Sequence, residues 1–133
     1  MTVATSWSTA VTLPEGPFPD VAVDAELRFD TASPYAVCLA FPPLGDDEAT
    51  QWTFARDLLD QGRHGPVGCG DVTVAPGPEG QVLITLRSPS ARAVISVPAA
   101  VVSAFLLDSF RLVPAGTETE HLDVDAALAQ LLS

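Results

Sequence analysis

Lysine is absent from this chain, and its whole basic complement is six arginines: Arg28, Arg56, Arg63, Arg87, Arg92 and Arg111. No two of them lie closer in sequence than Arg87 and Arg92, so no basic run exists to follow a phosphate backbone. The formal net charge is −11, and a field of that sign repels nucleic acid and anionic lipid at long range. Long apolar runs are missing too. The longest uncharged one lies between Arg92 and Asp108 and is broken by Pro98, too short to span a bilayer. The start, MTVATSWSTAVTLPEG, lacks the basic region of an export signal. A cytoplasmic protein is therefore expected, without membrane insertion and without a nucleic-acid partner. Its two cysteines, Cys38 and Cys69, are expected as free thiols.

What is present is apolar. Hydrophobic residues make up 47% of the 133 and charged residues only 17%, with a mean hydropathy of +0.29. One domain over residues 1–133 is expected, and a chain of this size buries about two-thirds of its unfolded surface. Its apolar content exceeds what one small core easily hides, so self-association is expected.

The patterning is that of strands followed by helices. From Val21 to Asp30, Val21, Val23, Ala25, Leu27 and Phe29 alternate with Asp24, Glu26, Arg28 and Asp30, the period of an antiparallel strand with one wet face. Tyr35, Val37, Leu39 and Phe41 repeat it, with small Ala36, Cys38 and Ala40 on the reverse. The Asp30–Pro34 stretch between them is rich in turn formers. An acidic loop, Pro42–Glu48, leads to a strand over Thr50–Phe54 and a short helix over Ala55–Gln61 that Gly62 closes. Further strands are expected at Asp71–Ala75, Gln81–Arg87 and Ala93–Val97, the first two joined by a Pro76–Gly80 turn. Pro98 suits the first position of a helix running to about Ser109, apolar almost all round and so expected buried. A last helix from Asp123 or Asp125 carries a stripe of Val124, Leu128, Leu131 and Leu132. The order, strands then helix and again strands then helix, suggests two similar halves.

Catalytic chemistry finds little support. Glycines flank Cys69, where exposed backbone N–H groups could activate a thiol, with His64 five residues before it. A small buried Cys in a glycine loop is the commoner arrangement. Two Cys and two His could complete a zinc site, but none shows knuckle spacing. Asp46, Asp47 and Glu48 lack the spaced ligands of a calcium loop. No phosphate-binding glycine loop and no Gly-x-Ser-x-Gly elbow occurs. No catalytic, cofactor or metal residue is assigned, and the chain is read as a non-enzyme without a cofactor. Tyr35, Trp52 and Phe54 are expected in the core; Asp57 is read most simply as a helix N-terminal charge, with a structural pair to Arg56 as the other option.

Several blocks in order carry a family resemblance: Leu27-Arg28-Phe29-Asp30-Thr31, Pro34-Tyr35-Ala36-Val37, Trp52-Thr53-Phe54-Ala55-Arg56-Asp57-Leu58-Leu59, Gly68–Val72, Pro114-Ala-Gly-Thr-Glu118 and Leu122–Asp125. Together they resemble the SsgA-like sporulation and cell-division proteins of spore-forming actinomycetes. The resemblance implies an α+β, whirly-like single domain with about seven mostly antiparallel strands, a short central helix and two C-terminal helices. It also implies a homotrimer acting without catalysis at sporulation septa, with FtsZ, septal wall proteins or another SsgA-like protein as partner. Asp46, Asp47, Glu48, Val124, Leu128 and Leu131 are the expected partner or oligomer contacts. The alternative is a single-stranded nucleic-acid binder, which the whirly-like fold suggests and the charge opposes. A thiol enzyme using Cys69 is the third possibility.

Overall fold

Alternation builds the first sheet. The computed structural model describes residues 3–42, 50–68 and 70–121. In strand β2 (Val23–Asp30), Ala25, Leu27 and Phe29 are buried while Asp24, Arg28 and Asp30 are exposed, the expected wet and dry faces. β2 lies between β1 (Ala4–Val11) and β3 (Ala36–Phe41), and β4 (Thr50–Ala55) completes an antiparallel sheet in the order β1-β2-β3-β4. Register places Trp7 opposite Leu27, Leu27 opposite Leu39, and Leu39 opposite Trp52. Directly opposed side chains share a face, so these four form one row across the sheet.

β1 was not among the expected strands. Its residues mix adjacent hydroxyls, Thr5-Ser6 and Ser8-Thr9, with small or apolar side chains, and most of them are exposed. Such an edge strand shows no strong apolar periodicity. β2 begins at Val23 rather than Val21, which is 56% exposed in the preceding loop.

The second sheet is β5 (Val72–Pro76), β6 (Gln81–Ser88) and β7 (Ala91–Pro98), again antiparallel and in chain order. Between β5 and β6 a short 3-10 turn (Pro78–Gly80) reverses the chain, with Glu79 at φ 54° and Gly80 at φ 73°. Val82, Ile84 and Leu86 of β6 face the core, and Val94 to Val97 of β7 are buried in succession. β7 is wet on neither face there because the two sheets meet at it: Thr12 and Ser96 exchange backbone hydrogen bonds of 3.1 and 2.8 Å.

Helix α1 (Arg56–Gly62) follows β4 without a loop. Gly62 was expected to close the helix just beyond Gln61; it is the last helical residue, and Arg63 caps at φ −70°. What excludes a side chain at Gly62 is close approach, since a Cβ there would overlap Val74 of β5. Helix α2 (Ala99–Leu112) begins one residue later than expected, with Pro98 at its N-cap. Val102, Phe105, Leu106 and Ser109 are buried at helical spacing. Burial all round does not hold, because α2 is covered on one side only and Leu107 is 53% exposed.

One core joins both sheets and both helices, with Leu27, Phe29, Leu39, Leu59, Ile84 and Phe105 among its fully buried members. Among the described residues the chain has seven antiparallel strands and two α-helices, the expected α+β class. The expected final helix, with Val124, Leu128, Leu131 and Leu132, lies outside the described residues, as do the acidic Asp46, Asp47 and Glu48 and the thiol Cys69.

Candidate interaction site between the two helices

An arginine with no exit to water organises the corner where α1 meets the end of α2. Arg56 is the first residue of α1 and is 1% exposed. Its backbone N–H donates to the Tyr35 carbonyl at 2.8 Å, tying the helix start to the turn before β3. Nη1 donates to the carbonyls of Ser109 and Val113 at 3.1 and 2.8 Å. Both carbonyls lie at the end of α2, where the dipole is negative; that of Ser109 also accepts the Val113 N–H at 2.9 Å. Nη2 donates to Glu118 Oε1 at 3.0 Å. The guanidinium carbon sits 4.2 Å from the Phe110 ring centre and 4.9 Å from that of Phe29, a cation between two aromatic faces.

Glu118 closes the network from the chain that follows α2. Its second oxygen accepts the Gly116 N–H at 2.9 Å, where Gly116 has a φ of 88°. The carboxyl is held below the usual glutamate range, first by its own backbone N–H and then by Arg56 and Gly116, against the opposing effect of burial. An Arg56–Asp57 pair is not formed. Successive helical residues point about 100° apart, so Arg56 enters the core while Asp57 remains an exposed first-turn carboxylate.

Alongside this corner, α1 and α2 enclose a groove of about 540 Å³. Leu106, Leu107, Phe110, Pro114 and Ala115 supply its apolar surface. At the far end Arg63 pairs with Asp60 and donates through Nη1 to Ser103 Oγ at 3.3 Å, which joins the two helices. A second recess of similar size lies on the wet face of the first sheet beside Asp24, Glu26 and Pro42.

The three aromatics expected in the core part company. Phe54 is buried, Trp52 is half-buried against the core, and Tyr35 is 49% exposed. Asp30 and Ser33 accept successive turn hydrogen bonds from Ser33 and Ala36, so Tyr35 falls in the turn and buried Pro34 takes the inward position. Cys38 is half-buried in β3, where its Sγ approaches Gln51 Oε1 at 3.8 Å. His64 is exposed. Among the described residues no group of three His, Cys, Asp or Glu could hold a metal ion, and no helix is long and apolar enough to cross a membrane. None of the expected contacts Asp46, Asp47, Glu48, Val124, Leu128 and Leu131 falls within the described residues. Glu118 was legible only as part of a family block, since no local pattern tells where a carboxylate finds its cation.

A family model described as Streptomyces sporulation and cell division protein, SsgA, matches residues 23–118. The chain belongs to the SsgA family. The matched stretch runs from the start of β2 to Glu118, so both members of the buried ion pair lie inside it and β1 lies before it. The sporulation-specific cell division protein SsgB of Streptomyces coelicolor is 45% identical over 114 residues, covering 84% of this chain and 82% of that protein. SsgB of Frankia casuarinae is 42% identical over 115 residues, covering 84% and 80%. A solved structure from work on SsgB mutations and longitudinal cell division during sporulation of S. coelicolor superposes with a TM-score of 0.83 at 39% identity, covering 92% of this chain and 98% of that one. The SsgA-like sporulation-specific cell division protein of Thermobifida fusca gives a TM-score of 0.81 at 36% identity over 96% and 95%. The two-sheet architecture is thus that of the family's solved members.

Proposed function

We propose that this protein is a non-enzymatic adaptor of sporulation-specific cell division, a homotrimer that assists placement of the septum machinery. Its partner would be FtsZ, a septal wall protein or another SsgA-like protein. The observation that carries this reading is similarity over 84–86% of the chain to proteins named for sporulation-specific cell division, at 40–45% identity. Two features of the molecule support it. Trp7, Phe18, Val21 and Tyr35 leave apolar surface uncovered on the single chain, which favours association with further copies. Five of the six arginines, Arg28, Arg56, Arg63, Arg92 and Arg111, are each paired with a carboxylate. Few cations are then left for a phosphate backbone, which favours a protein partner over a nucleic acid.

Asp24 and Glu26 beside Pro42 make the wet sheet face acidic where the chain leads on to Asp46, Asp47 and Glu48. Under this reading that face and those three residues meet a basic patch on the partner.

The deciding experiment places a fluorescent fusion in sporulating hyphae together with labelled FtsZ. Foci in a ladder at or before the division ring are expected. A diffuse signal, or one confined to tips and spore walls, overturns the recruiting role.

A further inference from the structure

The β6–β7 hairpin ends in a repulsion. Its register sets Arg87 directly opposite Arg92 and Ser88 opposite Ala91, which leaves Pro89 and Ser90 as the turn. Every residue from Arg87 to Arg92 is exposed. Val82, Ile84 and Leu86 of β6 face the core, so Arg87 and its opposite Arg92 share the outer face. Like charges directly opposed destabilise a sheet, yet two of the chain's six cations stand this way here.

Little negative charge offsets them. Among the described residues no carboxylate pairs with Arg87, whose backbone N–H donates to the Asp71 carbonyl at 2.8 Å. Arg92 pairs with Glu15 through two half-exposed side chains, a contact worth little in water. Two guanidiniums on one face make a fork for an oxyanion. A free anion must approach through the field of a chain with a net charge of −11. An anion formed in place on the turn meets no such barrier. Ser90 is exposed, on a turn whose backbone Pro89 restricts. It lies two residues before Arg92, the spacing at which strand residues share a face. Ser88 follows Arg87 directly and so falls on the other face.

We propose that Ser90 is a phosphorylation site and that its phosphate is seated between Arg87 and Arg92. A protein kinase and ATP supply the group. The Ser90 oxygen bonds to the γ-phosphorus as the bond to the ADP oxygen breaks, and the hydroxyl proton passes to the kinase's base. The product carries about −1.5 to −2 charge and three acceptor oxygens. It turns a repulsive pair into two donors on one phosphate. It also draws Arg92 from Glu15, the contact that ties the β1–β2 loop to β7.

Two measurements test this. Peptide mass spectrometry of the protein isolated through vegetative and sporulating growth should find phosphate on Ser90. Phosphorus NMR of the full chain made with phosphoserine at position 90 should show the second proton leaving roughly 0.5 pH unit or more below the usual value of about 6. The same phosphoprotein carrying Arg87→Gln and Arg92→Gln should return to that value. Both positions are exposed, so the substituted chain should fold. Ser90 unmodified at every stage, or phosphate on Ser88 alone, overturns the proposal. A titration that the two substitutions leave unchanged overturns it as well.

Discussion

Arg56 and Glu118 are separated by most of the second half of the chain, yet Nη2 and Oε1 lie 3.0 Å apart at a corner closed to water. The pair links the first residue of α1 to the loop after α2, and the same guanidinium holds two carbonyls at the end of α2. Phe29 of β2, the end of α2 and the loop at Glu118 converge on this first side chain of α1.

Removing that cation should be costly. Arg56→Met leaves Glu118 Oε1 and the Val113 carbonyl without the donor seen here, and losing one member of a buried pair typically costs about 3–5 kcal/mol. Urea unfolding should show a lower midpoint with an unchanged slope. Replacing both residues, Arg56→Met with Glu118→Leu, should recover part of the loss, because no charge is then stranded.

Acid should loosen the same corner. Glu118 has a folded pKa below its unfolded value, near 4.3 for a free glutamate. Its contribution is therefore complete above that value and lost as pH falls through the folded pKa. Melting temperatures followed from pH 6 down to pH 3 should fall less steeply for Glu118→Gln than for the wild type. Parallel curves would show that Glu118 takes no part in the acid response.

Gly62→Ala should destabilise although alanine is the better helix former. The added Cβ collides with Val74, and overpacking of this kind costs about 1–3 kcal/mol. Combining it with Val74→Ala should give a smaller total loss than the two single losses added, measured as a double-mutant cycle in urea.

Tyr35→Ser should leave the fold intact. The side chain is 49% exposed, so the unfolding free energy should change by no more than about 0.5 kcal/mol. Under the homotrimer proposed above, with Tyr35 in its seam, the replacement should also lower the mass seen by light scattering, and an unchanged mass places Tyr35 outside any seam.

Local patterns settled much of this molecule. The alternation of β2 and β6, the Pro76–Gly80 reversal, the start of α2 after Pro98 and the α+β class all follow from side chains within a few residues of one another. The acidic charge and the missing lysine were equally plain, and the ordered family blocks were enough to indicate the SsgA family. Tertiary structure decided the rest. β1 is a strand because β2 offers it a ladder, not because its own residues alternate strongly. Gly62 matters through Val74, which lies on another strand. Tyr35 turned outward because a turn took Pro34 in its place, and Arg56 chose Glu118 over its neighbour Asp57. At Tyr35 the deciding turn is local; at β1, Gly62 and Arg56 the deciding atoms come from a distant part of the chain, and periodicity records only which way a residue points relative to its neighbours in sequence.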